Sequence, residues 1–493
     1  MVRLEVDDLR TNIVGTFPYK DVYEATSFLP DGYFFNPYYR KGQSDGRKRF
    51  LKAARGQKPA NFPTGLLSRV IECLKEKGWA YEIDDRRKDY FFQPDYILNG
   101  KDGGTIDMSE YPYDYQGGAI DEVSIYGRGV IRVGTGGGKT AISAGLIKSA
   151  NRRSVVLINR RLLAHQIRRE LSERLGHKVG FVGDSIYEPE EIVVCMTQTL
   201  AAMLKKKDDR FNFLKTFGVV IGDEVHHLES NQWYNIFDAI PASIRVGLSA
   251  TPTTGGHGMY LEAQTGPVLV DVSGQELIER GINVQPSFWF ATIDGPKFPS
   301  KTDWRTVFDQ GIIDNRKRND LICHIAKVLI KEKKPPLILS SRLKQVDYIC
   351  DSLIADGVSV GKITGSTSHA DRRVYLDGLS TGATECVVGM VSVLGEGIDV
   401  GDIRSLINAT GSKGGSGTDS ESGRQVIQTV GRGLRKSKAS DYLPEKTEFV
   451  YVDFIDLAHK SLRNASLARL NAIESEGYKN DIGRWADYSP SIA

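Results

Sequence analysis

The residues best suited to chemistry begin at Val130-Ile-Arg-Val-Gly-Thr-Gly-Gly-Gly-Lys-Thr140, where a β-branched run meets a glycine cluster and then Lys-Thr. Strand, glycine-rich turn and helix in that order make a phosphate loop. Gly134, Gly136, Gly137 and Gly138, with Thr135 between them, let successive backbone N–H groups converge on phosphate oxygens. The helix that follows adds its positive end. Lys139 then reaches the β- and γ-phosphates of ATP, and the Thr140 hydroxyl is placed for Mg²⁺. The strict spacing would want glycine at Val133, so the loop departs from the pattern by one residue.

About eighty residues downstream an apolar run closes on Asp223-Glu-Val-His226. Asp223 suits Mg²⁺ through water, and Glu224 suits the orientation of the water that attacks the γ-phosphate. His226 and His227 are not expected to form a metal pair, because neighbouring side chains on a strand point apart; His226 is better read as a hydrogen-bonding coupler. Ser249-Ala-Thr251 is a small hydroxyl-bearing turn placed to relay the nucleotide state, with Ser249 and Thr251 as its polar ends. Gln116, some twenty residues before the loop, carries an amide that matches the adenine edge. Far downstream, Gln428-Thr-Val-Gly-Arg-Gly-Leu-Arg435 sets Arg432 and Arg435 three apart on one helical face. Guanidinium suits a developing phosphoryl charge, and such an arginine supplied across a domain cleft contributes ~10³–10⁵ in rate.

These residues need a scaffold that brings strand ends together. Apolar runs at 130–133, 154–159, 192–199, 217–226 and 244–252 are separated by helical stretches such as 160–175, which predicts a parallel sheet covered on both faces. Ligands gather at the carboxyl ends of such strands. The same grammar restarts after about residue 285, with strands at 336–341, 358–363, 385–390, 405–409 and 448–453 and helices at 318–331 and 343–356. Residues 411–423 are rich in Gly and Ser and read as a loop, and the polar stretch from 456 to 493 reads as a helical tail. Residues 1–105 carry no nucleotide signature, and the stretch around 102–105 reads as a linker.

Between residues 31 and 58 eight Lys or Arg stand against two Asp, and six aromatics lie between 31 and 50. That mixture suits a nucleic-acid surface, with rings stacking on bases and cations on phosphates. It equally suits a small sheet whose aromatics alternate into its core, with turns at Asn36-Pro37 and Asp45-Gly46 and a helix from Ser68 to Lys77 covering it.

With 493 residues, 40% hydrophobic and 26% charged, the chain is expected to fold as about three globular domains. A net charge of +3 confines any nucleic-acid surface to local patches. No apolar run approaches the ~18 residues of a membrane span, and the first ten residues do not read as a secretion signal. Five scattered cysteines without a Cys-x-x-Cys pair read as reduced core residues of a cytosolic protein.

Taken in order, the phosphate loop, Thr197-Gln-Thr199, Asp-Glu-Val-His, Ser-Ala-Thr, Gly395-Glu-Gly-Ile-Asp399 and Gln-x-x-Gly-Arg-x-x-Arg resemble the motif set of superfamily 2 helicases over residues 110–455. The resemblance implies two tandem RecA-like parallel-sheet domains (106–285 and 286–455) using ATP and Mg²⁺. It adds Gly397, Asp399 and Gln428 to the nucleotide site. It also implies single-stranded nucleic acid gripped by Arg160, Arg161, Gln198 and Thr199 in the first domain and by Ser341, Arg342 and the 391–393 segment, Ser392 included, in the second. Asp31-Gly-Tyr33, Asn36-Pro37, Arg40 and Asp45-Gly-Arg47 resemble the small α+β DNA-binding domain of phage recombination helicases of the UvsW type. That implies contacts from Tyr38, Arg40, Arg47 and Lys48, branched DNA as substrate (forks, D-loops, Holliday junctions, and the RNA–DNA hybrids of R-loops), 3′-to-5′ polarity, a monomer, and residence in the cytoplasm of a host cell. An RNA helicase and the translocase subunit of a restriction system are the rival readings.

Overall fold

The computed structural model describes residues 1–30, 32–87, 92–100, 103–225, 231–250, 255–394, 403–411, 430–431 and 433–488, with backbone alone at 162, 231, 255–257, 369 and 479. The chain divides into two compact units, Met1–Val133 with Gly138–Val272, and Gly134–Gly137 with Ser273–Ala493. All structural statements below concern the described residues.

In the first unit a four-stranded sheet is built from β1 (Val2–Val6), β2 (Arg10–Val14), β3 (Ala60–Pro63) and β4 (Tyr81–Asp85), in the order β3-β2-β1-β4. Val2, Leu4 and Val6 alternate inward against α1 (Leu67–Glu76), which buries Val70, Cys73 and Leu74. The aromatics at 33–39 are not part of this sheet. Asn36 caps a short helix at Pro37–Arg40 by accepting from the Tyr38 N–H at 2.9 Å, and Phe34, Phe35 and Tyr38 stand exposed. Of the six aromatics between 31 and 50 Phe50 joins the core of this sheet, so the reading with aromatics alternating into a core fails for 33–39 while its covering helix is α1.

The larger sheet of this unit holds β5 (Arg128–Val133), β6 (Ser154–Ile158), β7 (Gly180–Gly183), β8 (Ile186–Glu188), β9 (Ile192–Met196), β10 (Val219–Asp223), β11 (Ile244–Ser249) and β12 (Val268–Val272). Their spatial order is β8-β7-β9-β6-β10-β11-β5-β12, and all pairs are parallel except β7 with β8. Near-continuous Val and Ile runs make these strands because both faces are covered. The covering helices include α2 (Asp114–Tyr126), α3 (Lys139–Ala150), α4 (Arg161–Leu175), α5 (Thr197–Lys206) and α6 (Gly255–Thr265). The strand expected over 192–199 stops at Met196, where Thr197 opens α5. Met259 and Ala263 of α6 join the core of the N-terminal sheet, so residues 1–105 share a unit with the larger sheet instead of standing apart from it.

In the second unit the sheet runs β15-β16-β14-β17-β18-β13-β19, parallel throughout, where β13 is Gln285–Ile293, β14 Pro336–Ser340, β15 Val360–Ile363, β16 Cys386–Met390, β17 Ser405–Asn408, β18 Glu448–Asp456 and β19 Ile482–Arg484. The helices α7 (Arg316–Lys331) and α8 (Leu343–Ala355) pack on one face, their Ile322, Ile325 and Ile349 meeting Ile338 and Val450. The unit begins at Ser273, not near 285, because β12 completes the first sheet. Nor is 456–493 only a helical tail. The helix α9 (Lys460–Ile473) buries Arg469 against Asp453 at 2.8 Å, and β19 extends the sheet along β13. All five cysteines are free and buried. No described helix is long and apolar enough to cross a membrane.

Candidate nucleotide site and nucleic-acid surfaces

Register fixes which strand ends meet. Asp223 pairs with Leu248, and Ser249 with Arg132, so β10, β11 and β5 end side by side at the carboxyl edge of the first sheet. Beyond Val133 the glycine turn takes positive φ at Gly136 (88°) and Gly138 (79°), and α3 begins at Lys139 without a side-chain cap. Its first-turn N–H groups are therefore suited to an anionic ligand. A Cβ at Gly138 would come within 2.5 Å of the Gln116 amide nitrogen. Only glycine allows that approach. It lays Gln116, 3% exposed on α2, directly against the loop, with its amide donating to the Tyr115 hydroxyl at 3.0 Å.

Asp223 is 8% exposed. Burial raises its carboxyl from the ordinary 3.8 to about 6; the Glu224 charge pushes the same way, while Lys139 and Arg160 pull it down. The acid and the loop lysine thus feel each other across the strand ends. Glu224 follows with φ of 54°, a left-handed backbone that costs a non-glycine residue about 1 kcal/mol, and its N–H donates to the Asp223 carboxylate at 3.0 Å. Strain of that kind collects where a side chain must be aimed.

A buried carboxylate with a second acid beside it, raised in spite of Lys139 and Arg160, is a good partner for Mg²⁺, which would restore its charge. Among the described residues no three His, Cys, Asp or Glu cluster to hold a metal by themselves. A cation held here would take water and phosphate oxygens as its other ligands, as Mg²⁺ does. Ser249 is fully buried at the end of β11. The expected site residues His226, Thr251, Gly397, Asp399, Gln428 and Arg432, and the 411–423 loop beyond Gly411, lie outside the described residues.

Residues 110–254 match the family of type III restriction enzyme res subunits, and residues 317–437 match the helicase conserved C-terminal domain, together just over half of the chain. The chain belongs to the superfamily 2 helicases. Its relatives include the ATP-dependent DNA helicase uvsW of Enterobacteria phage T4, 23% identical over 94% of this chain and 92% of that protein. A protein of Acanthamoeba polyphaga mimivirus named for ATP-dependent RNA helicase activity is 25% identical over 71% of this chain and 64% of its own length. Among solved structures, yeast Dbp5 bound to RNA and ADP BeF3 superposes with a TM-score of 0.50 at 16% identity, covering 75% of this chain and 88% of that one. The fold is that of the tandem RecA-like helicases.

In this helicase Arg160 and Arg161 follow β6, and Gln198 and Thr199 open α5 after β9. The strands are neighbours, with Ile158 paired to Met196, and the Gln198 amide donates to the Asn159 carbonyl. The expected contacts of the first unit are thus brought together. Arg161 is exposed and holds Asp184 at 2.6 Å. Arg160 also sits within electrostatic range of Asp223. The Asn159 Oδ1 and Thr197 Oγ1 atoms are buried without a hydrogen-bond partner among the described residues. Thr197 belongs to the Thr-Gln-Thr motif but carries no contact in the sequence reading, and Asn159, next to Arg160, is not singled out there at all.

In the second unit Ser340 pairs with Met390, which sets Ser341 and Arg342 beside the Val391–Leu394 turn that exposes Ser392. The Ser340 hydroxyl donates to the Gln345 amide oxygen at 2.6 Å, and the Arg342 guanidinium lies over the Phe308 ring at 5.6 Å. Arg435 is half-buried and bridges to Asn283 in antiparallel fashion. In the N-terminal module Tyr38, Arg40 and Lys48 are exposed, but the Arg47 guanidinium is occupied by Ser27, donating to its hydroxyl at 2.8 Å and its carbonyl at 2.9 Å. Arg47 fastens the loop.

Proposed function

We propose that this helicase is an ATP-driven DNA motor that unwinds or branch-migrates forks, D-loops, R-loops and Holliday junctions with 3′-to-5′ polarity. In this reading the 134–140 loop cradles the triphosphate, Gln116 meets adenine, Thr140 and Asp223 hold Mg²⁺, and Glu224 orients the attacking water. His226, Ser249 and Thr251 couple the nucleotide state to the strand contacts. Gly397, Asp399 and Gln428 complete the nucleotide site, and Arg432 and Arg435 answer the γ-phosphate. Single-stranded DNA is gripped by Arg160, Arg161, Gln198 and Thr199 and by Ser341, Arg342 and Ser392. The protein works as a monomer in the cytoplasm of a host cell.

The observation that carries the motor reading is the Asp223 carboxyl at the carboxyl edge of a parallel sheet, raised first by its burial and then by Glu224, and lowered by Lys139. The choice of DNA is supported by a relative named as a DNA helicase that aligns over 94% of the chain, N-terminal module included. RNA is the second reading, favoured by the mimivirus relative. ATP hydrolysis measured with forked DNA against single-stranded RNA separates the two. The DNA reading expects strong stimulation by the fork and little by RNA; the reverse order refutes it.

A further inference from the structure

The N-terminal module exposes an aromatic knob. Phe34 and Phe35 are 51% and 65% exposed, with ring centroids 4.4 Å apart, and Tyr38 stands beside them, also 65% exposed. Exposing that much apolar ring costs free energy unless something covers it. The knob is built stiffly. The Arg40 Nε donates to the Phe34 carbonyl at 2.9 Å while its guanidinium lies 5.5 Å over the Phe35 ring. Tyr33 packs edge-on against both Phe34 and Tyr39. Gly46, with φ of 77°, lies so close to the Tyr33 and Tyr39 rings that a Cβ would fall 2.9 and 3.0 Å from them. Only the outer rings are left facing water.

Charge identifies what covers them. From 40 to 49 five cations stand against Asp45 alone, and that carboxylate already accepts from the Tyr23 hydroxyl and lies 3.6 Å from Arg49. Rings on a segment with five cations to one carboxylate match a partner with flat apolar faces on an anionic backbone. We propose that Phe34 and Phe35 stack on unpaired bases at the branch point of DNA and form the strand-separating element of this helicase. The proposal rests on the DNA reading above and adds two residues that its motifs do not supply.

The test uses the full chain and a DNA fork carrying 2-aminopurine at the first base pair of the branch. Saturating wild-type protein without nucleotide is expected to raise the emission as that base leaves the duplex stack. Phe34→Ala and Phe35→Ala lose the rise and unwind forks on the order of ten- to a hundredfold more slowly per ring removed. Their ATPase on long single-stranded DNA stays within about twofold of wild type, since the motor is untouched, and Phe35→Trp restores unwinding. Alanine variants that unwind at the wild-type rate overturn the proposal. So does wild-type unwinding without any emission change, which would leave a protein partner as the occupant of the knob, and so does an equal loss of single-strand-stimulated ATPase. A wild-type protein that unwinds no branched DNA at all would instead refute the DNA reading itself.

Discussion

Replacing Asp223 by Asn isolates the electrostatic cost of the nucleotide site. The folded protein holds the Asp223 proton with a pKa of about 6, against 3.8 in the unfolded chain. Below about pH 3.8 the carboxyl is neutral in both states and costs nothing. As pH rises from 3.8 to 6 the unfolded chain releases the proton and the folded one does not, so stability falls; above 6 the loss is constant. The interval corresponds to about 3 kcal/mol. Asp223→Asn removes the charge and keeps the shape, so in EDTA at pH 8 the variant should be more stable by up to that amount. For a unit of this size that is about 5 °C in Tm. At pH 4 the two proteins should melt together. Mg²⁺ with ATP should raise the wild-type Tm and leave the variant unmoved, while ATPase activity is lost. The assay is thermal unfolding at both pH values, each with and without Mg·ATP. An Asn variant that melts lower than wild type at pH 8, or that keeps its advantage at pH 4, refutes the reasoning.

Three further outcomes are expected. Lys139→Ala should reduce ATP hydrolysis by at least about a hundredfold while the protein still melts cooperatively, because the substitution removes a charge aimed at phosphate and no core contact; turnover at the wild-type rate would contradict the site. Gly65→Ala should loosen the N-terminal module by about 1–3 kcal/mol, since its Cβ would fall 2.0 Å from the Glu262 carbonyl oxygen, and faster hydrogen exchange in α1 would report it. Arg469→Leu should destabilise the second unit by about 3–5 kcal/mol in urea, because it strands the fully buried Asp453 carboxylate, and adding Asp453→Asn should recover part of the loss.

The nucleotide site was the most legible part of the chain. Its strands are continuous Val and Ile runs buried on both faces, and Lys139, Asp223 and Ser249 fall where those runs stop; the order of the three segments along the chain, more than any one of them, marks the candidate site. Short polar elements were harder. The N-terminal sheet is made of four- and five-residue strands scattered between residues 2 and 85, and the aromatics at 33–39 lie outside it. Asn36-Pro37 carries a helix-start signal, a capping side chain followed by proline at the first helical position, that is also the signature of a turn. The tail misled for another reason: Arg469 marks a polar surface helix until its partner Asp453 is known, and the three residues of β19 are too few to show a period. Arg47, a DNA contact by resemblance, also holds Ser27 in the fold, a partner that its sequence neighbours do not announce.

The most direct test of the whole account is an unwinding assay with Mg·ATP on a four-way junction, a replication fork, and duplexes tailed on either the 3′ or the 5′ side, with the corresponding RNA duplexes alongside. The account predicts ATP-dependent opening of the junction and the fork, use of the 3′-tailed and not the 5′-tailed duplex, and no activity once Lys139 is replaced by Ala. Unwinding confined to RNA, or junction opening that persists without ATP hydrolysis, would contradict it.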